Sequence, residues 1–123
     1  MRIIDAVNAL NKLKHNTYST GEKILWLSKV DGMVKRLIID THEGGEMINF
    51  TGYDENTPED TELLVPAPYD TVYLRWLEAQ VDYHNGEYGK YNNAIMLYNT
   101  EFQAYADDYN RSHMPLTKKS GFC

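Results

Sequence analysis

The 123-residue sequence predicts an all-α protein: a four-helix bundle-like domain with a long loop or short β-hairpin between its second and third helices. Three features carry that prediction. Apolar residues recur at helical spacing through four separate stretches. Helix-start and helix-stop residues bracket those stretches. Gly44, Gly45, Gly52, Pro58, Pro66 and Pro68, which break regular structure, gather between the second stretch and the third.

The first helix is expected over residues 3–14, with Ile3, Val7, Leu10 and Leu13 on one face. The second starts at a capping box, Ser19-Thr20-Gly21-Glu22, in which Ser19 holds a backbone N–H and Glu22 reaches back. It runs to about residue 41 with an apolar stripe of Ile24, Leu27, Val30, Met33, Val34, Leu37 and Ile38. Gly32 inside it costs about 1 kcal/mol relative to Ala, which points to a close neighbour or a bend there. The third helix is expected from Pro68, suited to a first helical position, to residue 85, with Gly86 as its C-terminal cap. Its apolar residues cover more than one face, so it belongs in the middle of the bundle.

The fourth helix, residues 87–112, has the sharpest pattern in the chain. Tyr88, Tyr91, Ile95, Tyr98, Phe102, Tyr105 and Tyr109 alternate gaps of three and four and form one seam. That seam serves the protein's own core, a neighbouring subunit, or both. Between the second and third helices, residues 47–50 and 63–65 are apolar enough to pair as a short hairpin across an acidic tip. Residues 1–115 thus form one domain, with 42–67 as its extended loop or hairpin and 116–123 as a C-terminal arm.

The net charge is −6, which argues against nonspecific nucleic-acid binding. The charge is uneven: residues 1–40 carry seven basic and four acidic side chains, whereas residues 43–70 carry eight acids and no Lys or Arg. Such asymmetry suits contact between the basic end of one copy and the acidic flank of another. Ten Tyr against three Phe and two Trp also fit half-buried positions and subunit interfaces. Cys123 is the single cysteine, so no internal disulfide forms and a reducing compartment is expected.

Residues suited to catalysis or metal binding do not converge. His15, His42, His84 and His113 are scattered, with no HExxH or CxxC spacing. Residues 54–60 resemble a calcium loop only until Pro58, and the turn glycine of such loops is missing. Asp107 and Asp108 are adjacent on a helix and diverge. The sequence therefore predicts no catalytic residue, no cofactor and no bound metal.

Several segments, taken in order, resemble a known family. They are Trp26-Leu27-Ser28 with Asp31-Gly32; Leu63-Leu64-Val65-Pro66-Ala67-Pro68-Tyr69; Gln80-Val81-Asp82-Tyr83 with Gly86-Glu87; Tyr91-Asn92-Asn93; and Arg111-Ser112-His113-Met114-Pro115. In this combination the chain resembles the head–tail connector (adaptor, head-completion) proteins of Firmicutes-type tailed phages and prophages, over about residues 3–115. The resemblance implies a non-enzymatic virion protein of the neck, assembled in the host bacterial cytoplasm. It implies a homo-oligomeric ring, commonly of twelve copies, docked on the portal protein and receiving the next neck or tail protein. DNA would pass through the channel without sequence-specific binding, and an acidic lumen would let it slide. No membrane is involved.

Residues 42–67 and the arm are the expected contact regions, through Met47, Ile48, Phe50, Tyr53, Leu63, Leu64, Val65, Leu116 and Phe122. From the seam, Tyr98, Tyr105 and Tyr109 join them. Two other roles fit the same features: a tail-completion or terminator subunit, and a small helical regulatory binding protein of a mobile element.

Overall fold

The computed structural model describes residues 1–116. Four α-helices appear: α1 (Ile3–Leu13), α2 (Thr20–Val34), α3 (Thr71–His84) and α4 (Tyr88–Ser112). A π-helical turn, Lys35–Ile39, prolongs α2, and a short 3-10 turn follows at Gly45–Met47. The fold is all-α, as the apolar periodicity predicts. Directions alternate along the chain: Lys14 at the end of α1 pairs with Asp82 at the end of α3, while Asp31 late in α2 meets Tyr73 early in α3. Helix α3 is central and packs on α1, α2 and α4, whereas α4 leans on α3 and the π turn.

Local chemistry explains the helix ends. Asp5 accepts the Arg2 backbone N–H at 2.9 Å and the Arg2 guanidinium as well, and these hydrogen bonds hold its carboxyl down at about 2. The N–H groups of Ile3 and Ile4, orphans of the first turn, donate to the Thr61 and Glu59 carbonyls at 2.9 Å. The capping box at α2 forms: Ser19 Oγ accepts the Glu22 N–H and Glu22 Oε1 accepts the Ser19 N–H, both at 3.1 Å. Gly86 caps α3 with φ +76°, its N–H on the Tyr83 carbonyl and the Glu87 N–H on the Asp82 carbonyl.

Four expectations need correction. Leu13 is half exposed, and the buried stripe of α1 is Ile3, Ala6, Val7 and Leu10. Leu37 is exposed because the π turn adds one residue to the turn: the Asp40 N–H reaches the Lys35 carbonyl, and Ile39 joins Ile38 in the core in place of Leu37. Helix α3 starts at Thr71, not Pro68; Pro68 follows a cis peptide bond within a turn in which the Tyr69 N–H donates to the Pro66 carbonyl.

Finally, residues 47–50 and 63–65 do not pair. The Leu63, Leu64 and Val65 N–H groups donate to the Met1 carbonyl, Asp31 Oδ2 and the Tyr73 hydroxyl, so no donor there remains for a hairpin. Those of Met47 and Ile48 close the 3-10 turn.

Candidate functional site

The most constrained group in the molecule is Asp31. It falls on the core face of α2 at 0% exposure, in step with Ile24, Leu27, Val34 and Ile38. Asp31 Oδ1 accepts the Tyr73 hydroxyl at 2.5 Å; Oδ2 accepts the Tyr53 hydroxyl at 2.5 Å and the Leu64 N–H at 3.0 Å. Tyr73 in turn accepts the Val65 N–H at 2.7 Å. One carboxylate thereby joins α2, α3 and two points of the acidic segment, Tyr53 and Leu64, that flank residues 54–62. Among the described residues no Lys, Arg or His forms an ion pair with it.

Burial without a cation raises the Asp31 carboxyl above its ordinary range, against the pull of its three hydrogen bonds. Burial, followed by the nearby Asp31 charge, pushes the Tyr53 and Tyr73 phenols up. Both oxygens of Asp31 are already engaged and out of solvent, so the cluster organises the fold and offers no group to a substrate.

A second polar link closes the other end of the bundle. His42, 7% exposed, faces the Ile38 carbonyl at 2.6 Å and Asn110 Oδ1 at 3.0 Å. Its ring meets the edge of Tyr109, which stacks on His113 at 3.8 Å. Here the chain after the π turn pairs with the chain after α4: Glu43 donates to the Met114 carbonyl at 2.8 Å and Leu116 to the Thr41 carbonyl at 2.9 Å.

Within the described residues the expected contact residues divide into three groups. Met47, Ile48 and Leu116 are exposed, Met47 at 82%. Phe50, Tyr53 and Leu64 are half-buried against the bundle. Leu63, Val65, Tyr98, Tyr105 and Tyr109 are buried within the chain, so as partner contacts they are corrected to core residues. Tyr88, at the start of the aromatic seam, is 60% exposed, but from Tyr98 to Tyr109 the seam faces its own domain because α3, the residues before it and the chain after the π turn present matching rings: Trp76 lies 4.8 Å from Tyr98, Tyr69 5.7 Å from Tyr105 and His42 5.0 Å from Tyr109. Burial pushes the Tyr105 phenol up to about 12. Phe122 lies outside the described residues.

Asp31, Tyr73 and His42 were not nominated by the sequence. A signal existed for Asp31: the spacing of Ile24, Leu27, Asp31, Val34 and Ile38 places an acid in an apolar stripe. Asn110 and Tyr109, the partners of His42 on α4, are far away in sequence and carried none.

The described surface carries shallow depressions. One, of about 210 Å³, lies between the π turn and α4 and is lined by Leu37, Ile38, His42, Gln103, Ala106, Asp107 and Asn110. Another follows the outer face of α4. Among the described residues no group of three or more His, Cys, Asp or Glu is placed to hold a metal ion, and no helix is long and apolar enough to cross a membrane. Compared with models of protein families, with curated proteins and with solved structures, the chain matches none.

Proposed function

We propose that the chain is a structural subunit of the virion neck, a head–tail connector that forms a ring on the portal vertex and joins the capsid to the tail. The reading begins with the resemblance in the ordered segments from Trp26 to Pro115. The observation that carries it is the meeting of the two expected contact regions. Residues 41–43 pair with residues 114–116 at one end of the bundle, and the exposed Met47, Ile48, Met114 and Leu116 lie within or a few positions beyond these two stretches. Exposed apolar side chains beside acids such as Glu43 and Glu46, which form no ion pair among the described residues, make a surface suited to protein contact. The buried polar groups, by contrast, are committed to holding helices and loop together.

Mass spectrometry of purified, DNA-filled particles, counting this chain against the portal protein, tests the proposal. A ratio near one copy per portal subunit supports a ring on the portal. A lower copy number, with the chain at the far end of the tail, supports the tail-completion role instead. Absence from finished particles overturns the virion reading and favours a regulatory protein.

A further inference from the structure

Residues 46–58 form a strap across one face of α2. The Phe50 ring lies over Gly32, 3.9 Å from where a Cβ would stand, and Gly52 passes Ser28. Glu55 approaches Gly21, its Cβ 3.4 Å from the corresponding point. The strap therefore runs antiparallel along a face of α2 made of small side chains, and most of its residues are exposed.

Its hold on the bundle is narrow. Among the described residues, every hydrogen bond from positions 46–58 to a helix is made by Tyr53: its N–H donates to Ser28 Oγ at 2.9 Å and its hydroxyl to Asp31 Oδ2 at 2.5 Å. The other bonds of the strap are internal or local, such as the Asp54 N–H to Thr57, and among the described residues none of its acids forms an ion pair. Either side of the strap is pinned separately. Gly45 accepts Lys35 Nζ at 2.9 Å, and Glu59 and Thr61 receive the first N–H groups of α1.

We propose that Asp31 and Tyr53 form a proton-dependent latch, and that residues 46–58 lift from α2 as one piece when Asp31 is charged. With the strap closed, the carboxylate has three donors around it and no cation. Lifting admits water to Asp31, which favours its charged form. A proton favours the closed form, because neutral Asp31 loses nothing by burial. Protonated Oδ2 then donates to the Tyr53 oxygen, and the Tyr53 hydrogen turns toward solvent at its half-buried position. Tyr73 cannot turn in the same way, since its oxygen already receives the Val65 N–H.

The titratable groups that feel Asp31 are Tyr53 on the strap, Tyr73 on α3, and Tyr98 and Tyr105 on α4. All four are phenols raised by burial, so they stay neutral while the carboxyl titrates. Among the described residues no cation and no second carboxylate contributes to the ionisation of Asp31. The latch stands independently of the virion role; in a connector it would uncover Phe50 and Tyr53, half-buried while the strap is closed, for a partner.

Amide hydrogen exchange followed by NMR on the full chain tests this. The Tyr53 amide reports the strap and the Leu77 amide reports the bundle, with rates corrected for intrinsic pH dependence. In the wild type, Tyr53 exchange is expected to accelerate by up to about tenfold per pH unit as Asp31 ionises, with Leu77 unchanged. Asp31→Asn, the neutral isostere, should keep Tyr53 protected and flat with pH. Tyr53→Phe should leave residue 53 poorly protected at every pH. If Asp31→Asn does not fold, Tyr53→Phe carries the comparison, since it leaves Tyr73 and Leu64 on the carboxylate. Flat Tyr53 exchange in the wild type, or Tyr53 and Leu77 accelerating together, overturns the latch.

Discussion

Tyr73 on α3 donates its hydroxyl hydrogen to Asp31 on α2 at 2.5 Å, with both residues at 0% exposure. The same hydroxyl accepts the Val65 N–H, so Tyr73→Phe orphans a buried amide and removes a donor from a buried carboxylate. The expected loss is about 1–3 kcal/mol of unfolding free energy. Tyr53→Phe should cost less, because Tyr53 is half-buried and water can replace its hydroxyl. Urea denaturation of the two variants side by side checks the order.

The charge on Asp31 also sets a pH dependence. Its carboxyl is raised by burial, so the folded chain holds the proton more tightly than the unfolded chain. The stabilising effect of that proton is complete below the unfolded carboxyl value, near 3.8, and is lost as pH rises through the raised folded value. Wild-type stability should therefore fall relative to Asp31→Asn as pH rises from about 4. Denaturant midpoints of both proteins across that range check it; a constant difference would mean that Asp31 titrates normally.

Two glycines separate close approach from simple helix cost. A Cβ at Gly45 would stand 2.3 Å from the Ile39 carbonyl oxygen, backbone that cannot step aside. Gly45→Ala should destabilise by about 1–3 kcal/mol. At Gly32 the nearest atom is the Phe50 ring at 3.9 Å, an ordinary contact, and the backbone is helical. Gly32→Ala should raise stability by about 0.5–1 kcal/mol. Thermal unfolding of the pair should give shifts of opposite sign.

Ser19 bonds one otherwise unpaired N–H at the start of α2 and is itself exposed. Ser19→Ala should cost about 0.5–2 kcal/mol, and Ser19→Asp, which keeps an acceptor at the cap, much less. Denaturant titration of both variants distinguishes the cap from general helix propensity.

Local chemistry carried the helices into view from the sequence. Ser19 and Glu22 mark a helix start wherever they occur, Gly86 marks a stop, and the seam from Tyr91 to Tyr109 marks one helical face. Each depends on neighbours within a few positions. The acidic stretch and its position between α2 and α3 were legible for the same reason. Which chain the aromatic face would meet was not legible, because a buried seam has the same spacing whether its partner is α3 or another copy.

Tertiary structure alone decided that Trp76, Tyr69 and His42 cover the seam, leaving Met47, Ile48 and Leu116 outside. It also decided the fate of residues 63–65. Their apolar side chains suit a strand, but the Leu63 and Leu64 N–H groups find Met1 and Asp31, distant in sequence and brought within reach only when the helices have packed, and the Val65 N–H finds the Tyr73 hydroxyl eight positions on. Spacing records which side chains share a face. A hydrogen bond across 33 positions, such as Leu64 to Asp31, depends on where packed helices bring its two ends, and the residues between them hold no trace of it.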